Sequence, residues 1–404
     1  MTHRPVGSSS PTRAIVAALA VNLAGVLPLF LTGAMAVQMS RDLGFGPAQL
    51  GALSGAYAGS ALVASAPLGG RVGTIGVRRS ARIAAAVAAV SLLGGAVSPT
   101  VWWLALSMLV GGLANAIGQP AGNAMIAQHV PAARFGLGYA IKQSGIPLAT
   151  LLAGLAVPSV ALTIGWRAAF LIACALAAGA AVLPPPDRNV ESRRVEGPVP
   201  RRLRGPLWAL AAGLMLAVIA APSIGAFGAI GGVAIGMSEA SAGLLVAAGG
   251  LLGMTIRIVA GLWADRAGSG ALKAVAALML VGAVGWMLMA SAFSTTAIAL
   301  YVVGLLVANA FGWGWPGLLH LAVARMFPAA TAAASGVTQT GVSAGLMVGP
   351  LVIGLTIERL GWPAAWSLAA ACAAAASLAV FLIRRAILTR SQHDEGNRPV
   401  RPDR

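Results

Sequence analysis

Long apolar runs separated by short polar or glycine-containing turns dominate this chain. Twelve can be marked, near residues 14–37, 49–70, 80–98, 101–128, 135–160, 166–183, 207–236, 241–264, 272–291, 296–325, 332–357 and 363–387. A helix needs about 20 apolar residues to cross ~30 Å of hydrocarbon, and the runs predict twelve such helices. The first follows a mainly polar stretch of 13 residues that includes Arg4 and Arg13. It is too long for a signal-peptide core and contains Pro28, so it reads as an uncleaved span. Six runs lie before residue 184 and six after 206, separated by Pro184-Pro185-Pro186-Asp187 and an Arg-rich stretch from Arg188 to Arg204. A polar, proline-rich segment of this kind has no core of its own and predicts a linker. The expected organisation is an all-α membrane protein, with a six-helix bundle over 1–183, a linker over 184–206, a second six-helix bundle over 207–390 and a disordered tail over 391–404.

The two sets of six are one half written twice. Gly165-Trp166-Arg167-Ala168-Ala169-Phe170 returns as Gly361-Trp362-Pro363-Ala364-Ala365-Trp366, and Lys142-Gln143-Ser144-Gly145-Ile146 returns as Thr338-Gln339-Thr340-Gly341-Val342. Pro131-Ala132-Ala133 matches Pro328-Ala329-Ala330, and Gly118-x-Pro120 matches Gly314-x-Pro316. Several matches in one order at nearly one offset indicate a parallel repeat, which in an apolar chain points to a two-halved membrane transporter.

Composition sharpens this picture. The chain is 404 residues long, 58% hydrophobic and only 9% charged. A soluble surface takes about 25% charged residues, so lipid must be the main solvent. The net charge of +17 would suggest nucleic acid in a soluble chain. Here the arginines fall in loops on one side instead: 71–82, the linker and the tail, against only Arg41, Arg167 and Arg359 opposite. By the positive-inside rule both termini and the linker are expected in the cytoplasm, in a multi-pass protein of the cytoplasmic membrane. Trp102, Trp103, Trp166, Trp208, Trp263 and Trp362 fall at span ends, as anchoring residues do. Cys174 and Cys372 occupy equivalent places in apolar runs and suit buried small hydrophobes rather than a disulfide or a metal site. No phosphate-binding loop, HExxH or GxSxG is present, so neither ATP use nor hydrolysis is expected, and no cofactor or metal.

Between spans 8 and 9 stands Gly261-Leu262-Trp263-Ala264-Asp265-Arg266-Ala267-Gly268. Between spans 2 and 3 stands Gly69-Gly70-Arg71-Val72-Gly73-Thr74-Ile75-Gly76-Val77-Arg78-Arg79. With two six-span halves and a basic linker, these loops resemble the major facilitator superfamily over essentially the whole chain. Its loop signature, G-x-x-x-D-R-x-G-R-R, fits the second copy well. In the first copy Gly73 and Thr74 replace the acid and the arginine. The resemblance implies a transporter working by alternating access, with spans 1, 4, 7 and 10 lining the path and 2, 5, 8 and 11 flanking it. It also implies a gating role for Asp265 and Arg266, with Asp265 facing the start of span 5 beside Arg134. A carboxylate facing a helix N-terminus is favourable, although a plain surface ion pair reads the same in sequence.

No Asp or Glu lies in the middle of any span. Buried carboxylates serve as proton relays and as counter-charges for organic cations, so neither device is expected within the spans. Three basic residues do lie there: Lys142 in span 5, Arg257 in span 8 and His320 in span 10. A charge at the bilayer centre costs about 2.5–3.5 kcal/mol, so Lys142 and Arg257 should either face water or an anion, or snorkel to the surface. His320 is equally open to a hydrogen bond within its helix. Asn115 and Gln119 share a face of span 4, and Asn309, Trp313, Pro316 and His320 share a face of span 10 at i, i+4, i+7 and i+11. Gln143 and Gln339 are equivalent in the repeat. Such residues either bind a small polar solute or bond neighbouring helices. Gly51, Gly55 and Gly59 in span 2, and Gly341, Gly345 and Gly349 in span 11, repeat every four residues and predict close helix packing. The resemblance implies that these two triplets meet as the outer gate.

The expected function is secondary transport of a small organic solute, an organic anion such as a carboxylate, by a chain acting as a monomer in the lipid bilayer. One alternative is efflux of neutral or amphiphilic compounds. Another is a receptor or scaffold that transports nothing.

Overall fold

The computed structural model describes residues 10–69, 71–131, 134–188, 199–266, 270–327 and 330–396. Span 1 is Pro11–Ala34, continued past Met35 by Ala36–Leu43. It begins where the Ser10 side chain accepts the Arg13 N–H and Pro11 takes a first-turn position, where its missing N–H costs nothing. Spans 2, 3 and 4 are Pro47–Gly69, Val77–Ala96 and Val101–His129. Span 5 is Phe135–Gln143 followed by Gly145–Ala156, running on through a π-helical turn at Val157–Ala161, and span 6 is Trp166–Ala180. Spans 7, 8 and 9 are Arg201–Ala234, Glu239–Arg266 and Ala271–Thr295. Span 10 comes in two pieces, Ile298–Gly312 and Pro316–Met326. Spans 11 and 12 share the helical run Thr331–Gly396, which turns at Gly361.

Nine described helices are long and apolar enough to cross a membrane. One of them, Ala333–Arg385, holds two crossings because Gly361 reverses the chain. The shorter Trp166–Ala180 and the helix Pro47–Gly69 complete the twelve. The repeat extends to the backbone. Gly165 and Gly361, equivalent in sequence, carry φ of 94° and 83°, and each opens the last helix of its half. Only glycine adopts such a conformation without strain.

We term the end of the molecule carrying Arg41, Glu239 and Glu358 the far face, and the end carrying Ser10 and residues 183–188 the linker face. Span 2 packs on span 11 across the halves, span 5 on span 8, and span 1 on span 7. Among the described residues, the close approaches and hydrogen bonds between halves run from the far face to about mid-span. A Cβ on Gly154 of span 5 would lie 2.5 Å from the Ala247 nitrogen of span 8, and one on Gly250 of span 8 would lie 2.7 Å from the Leu151 nitrogen. Larger residues there would force the two backbones apart.

Two boundaries differ from expectation. The span 7 helix starts at Arg201, inside the expected linker, because Pro200 sets its N-cap and Arg201–Arg204 are good helix formers. The last helix continues to Gly396, into the expected disordered tail, since no proline follows Pro363 before Pro399. The start of the linker is also held. Arg13 donates to the Leu183 carbonyl at 3.3 Å, His129 Nε2 lies 3.0 Å from the Pro186 carbonyl, and Asp187 accepts the Arg78 N–H at 2.7 Å. Asp187 thus brings a carboxylate to the first turn of span 3, beside the loop whose own sequence lacks one.

Candidate functional site

Span 5 carries Lys142 in the last turn before its helix breaks at Ser144. The side chain is 1% exposed. Its ammonium donates to the Gln119 and Asn123 side-chain oxygens of span 4, the latter at 3.0 Å. Gln119 in turn donates to Asn22 Oδ1 at 2.7 Å, and Asn22 Nδ2 donates to the Lys142 carbonyl at 2.7 Å. Three spans are therefore tied around one cation by neutral amides. The cluster satisfies most of its own hydrogen-bonding capacity, and the third ammonium N–H of Lys142 remains for another acceptor. Asn123 is exposed at the edge of this cluster.

In the other half Arg257 answers a different need. Span 10 breaks between Gly312 and Pro316, because Pro316 begins a new helix and cannot donate into the old one. The break frees the Trp313 carbonyl, which accepts from Arg257 Nε at 3.2 Å and Nη2 at 3.0 Å. The guanidinium also lies 5.8 Å from the Trp313 ring centroid. Two of its five N–H groups are used on this one oxygen, leaving three for other acceptors. Asn309 packs against span 8: a Cβ on Gly249 would lie 2.7 Å from its Nδ2, and one on Gly253 would lie 3.2 Å from its Oδ1.

The structure therefore joins Lys142 with Gln119, and Arg257 with Trp313. It does not keep Asn309, Trp313, Pro316 and His320 on one helical face, because the helix is interrupted between the first and second pair. His320 is exposed, and its Nδ1 lies 2.6 Å from the Pro316 carbonyl one turn back, a bond within its own helix. Asn115 is half-buried, its Cα 3.5 Å from where a Cβ on Gly25 of span 1 would lie. The repeat partners diverge: Gln143 is half-buried, with an enclosed Oε1 that has no partner among the described residues, while Gln339 is exposed. Sequence reasoning missed Asn22, although a lone amide in the first apolar run was a usable signal.

The glycine triplets do not meet each other. Gly51 and Gly55 of span 2 do face span 11, but there they meet Pro350 and Met347, and a Cβ on Gly55 would lie 2.8 Å from the Met347 carbonyl. Gly341, Gly345 and Gly349 instead face span 7 of their own half, against Ala211, Met215 and Ile219. Span 11 thus turns its glycine stripe to span 7 and a different face, with Met347 and Pro350, to span 2. Gly59 sits nearest the Met347 side chain, 3.3 Å from its sulfur. Arg134 is exposed just before span 5. Asp265 and Arg266 close the span 8 helix, and their side chains lie outside the described residues. A Cβ on Gly73 would meet nothing within 4 Å.

The far face carries a polar cluster that the sequence did not single out. Arg41 is ion-paired with Glu239, and Gln38 donates to the same carboxylate at 2.6 Å. Glu358 accepts the Ala48 N–H at 3.1 Å. Within the N-terminal half, Asp42 accepts from the Trp166 indole at 2.8 Å and from Arg167 at 2.9 Å. The Trp166 hydrogen bond first, then Arg167, hold its carboxyl below the ordinary carboxylate range against the opposing effect of burial.

Comparison with known proteins fits this geometry. A family model described as Major Facilitator Superfamily matches residues 14–340. An uncharacterized MFS-type transporter of Mycobacterium tuberculosis is 28% identical over 203 residues, covering 48% of this chain and 45% of the relative. The match thus spans about half the length of that relative. Among solved structures, a D-xylose-proton symporter has a TM-score of 0.74 at 17% identity, covering 91% of this chain and 96% of its own. A bacterial homolog of the human lysosomal transporter Spinster, inward-facing and unoccupied, has a TM-score of 0.69 at 15% identity, with coverages of 95% and 98%. A nucleoside transporter has a TM-score of 0.68 at 14% identity, with coverages of 91% and 99%. At these identities the structures speak for the fold alone. The twelve-helix fold and the internal repeat agree with the family match, which places the chain in the Major Facilitator Superfamily.

Proposed function

We propose that the protein carries a small organic anion, a carboxylate, through the cytoplasmic membrane by alternating access, as a monomer with both termini in the cytoplasm. The observation that carries this reading is the pair of intramembrane cations, one in each half. Lys142 and Arg257 are met by amide and carbonyl oxygens, and no carboxylate accompanies them among the described hydrogen bonds and ion pairs. Neutral oxygens lower the cost of burying a cation without cancelling its charge, so an entering anion finds uncompensated positive potential. Arg257, with three N–H groups left, suits a bidentate carboxylate, and Lys142 adds a point charge. Reconstituted protein should accumulate labelled small carboxylates in liposomes. Uptake confined to neutral or cationic solutes would contradict the proposal.

One observation favours a second reading, efflux of neutral or amphiphilic compounds. The Lys142 ammonium is already engaged by Gln119 and Asn123, so it could be a structural tie between spans 4 and 5. In that case Arg257→Ala would leave the transport of neutral compounds intact.

A further inference from the structure

The polar ties across the far face share a plan. Glu239, in the first turn of span 8, holds Arg41 and Gln38 at the end of span 1. Glu358, near the far end of span 11, holds the Ala48 N–H at the start of span 2. Both acids come from the C-terminal half, and all three of their partners lie between residues 38 and 48 of the N-terminal half. That stretch is the end of one helix, a turn at residues 44–46 and the start of the next: Gly44 has φ of 67°, and Phe45 beside it is buried. One turn is thus gripped from two sides by two carboxylates. Neither grip can survive separation of spans 1 and 2 from spans 8 and 11 at this face.

We propose that Glu239 and Glu358 are the gating carboxylates of the far face, which seal the path there and must release the 38–48 turn for that face to open. The inference rests on the alternating-access reading but not on the identity of the solute. The other charged groups near the clamp are Asp42 and Arg167, which pair with each other, and Arg359, which is adjacent to Glu358. None of these joins the two halves in the described contacts, so the closing function falls to the two glutamates. Releasing either one favours the open far face in proportion to the contact it gave up, by population shift.

The test uses the full-length chain with Cys174→Ser and Cys372→Ser, carrying Met347→Cys as a reporter where spans 2 and 11 meet. In oriented vesicles, a membrane-impermeant maleimide is supplied only at the face carrying Arg41. Glu239→Gln and Glu358→Ala should each raise the labelling rate about two- to fivefold, the range for an exposed ion pair. The two together should raise it by roughly the product. Exchanging the pair, Arg41→Glu with Glu239→Arg, should bring labelling back to within about twofold of the parent. Equal labelling in the parent and both single variants would overturn the proposal. So would faster labelling that accompanies a lowered melting temperature and is not corrected by the exchange, because that pattern describes general loosening. Absence of solute transport by the parent, with labelling behaving as expected, would count against the anion reading and leave the gate standing.

Discussion

The two halves share a backbone plan but solve the problem of an intramembrane cation differently. In the N-terminal half, Lys142 is sunk into a closed ring of amides drawn from spans 1, 4 and 5. In the C-terminal half, Arg257 caps a carbonyl freed by a broken helix and keeps most of its donors available. The repeat does not explain this. The partner of Lys142 is Thr338, and in the register of the loop signature the position matching Arg257 is Ser65. Duplication preserved the scaffold while each half acquired its own polar chemistry. The lesson is that Lys142 is as much a structural tie as a charge, whereas Arg257 spends only two of its five N–H groups in the described contacts.

The largest expected effect follows from that asymmetry. Arg257→Ala should lower carboxylate transport by ~30-fold or more, corresponding to the ~2–5 kcal/mol lost when one partner of a buried charge contact is truncated. Arg257→Lys should recover only part of the activity, since an ammonium cannot form the fork. Initial uptake rates in liposomes at matched protein density measure both. Next in size, Lys142→Ala should cost stability as well as transport, because it leaves the part-buried Gln119 oxygen without its donor. An unsatisfied buried acceptor costs about 1–3 kcal/mol. Thermal unfolding in detergent should therefore fall further for Lys142→Ala than for Arg257→Ala, and equal falls would remove the contrast between the halves.

A smaller effect is expected at Asn22, which touches Lys142 only through its backbone carbonyl and through Gln119. Asn22→Ala should destabilise by ~1 kcal/mol per hydrogen bond lost, with uptake reduced less than in Lys142→Ala. The smallest concerns the turn that opens the last helix of each half. In the N-terminal half Asp42 binds Trp166 and Arg167 there, while the C-terminal half stacks Trp362 on Phe293 at 5.6 Å. The folded carboxyl of Asp42 lies below its ordinary value of 3.8. Its stabilisation is therefore complete above about that pH and is lost as pH falls through the lower folded value. Acidification toward pH 3 should lower the melting temperature of the parent more than that of Asp42→Asn, by a small margin because the pair is about half exposed.

The fold was largely legible because the signals that specify it are long and redundant: apolar runs of membrane-spanning length, a 196-residue offset from Gly165 to Gly361, and loops rich in arginine. The site was legible only as a set of residue types. Lys142, Gln119, Arg257 and Trp313 stood out because polar groups in lipid demand an explanation. Which partner each one finds depends on helix rotation and on breaks that sequence spacing does not fix. The break at Trp313–Pro316 scattered an expected face of span 10, although Gly314 and Pro316 were its visible cause. The span 11 triplet was assigned to the wrong neighbour because a glycine stripe announces close packing without naming what it packs against. Nothing in the sequence singles out Glu239 and Glu358, since their partners lie some 200 and 310 residues away.

The central claim is that positive charge inside the membrane selects an anion. It is tested most directly by pairing each labelled small carboxylate with its neutral amide and measuring uptake of both into liposomes holding the wild-type protein or Arg257→Ala. The account predicts that at least one carboxylate enters through the wild-type protein while its amide does not, and that Arg257→Ala loses this preference. Equal uptake of acid and amide, or an undiminished preference in Arg257→Ala, would contradict it.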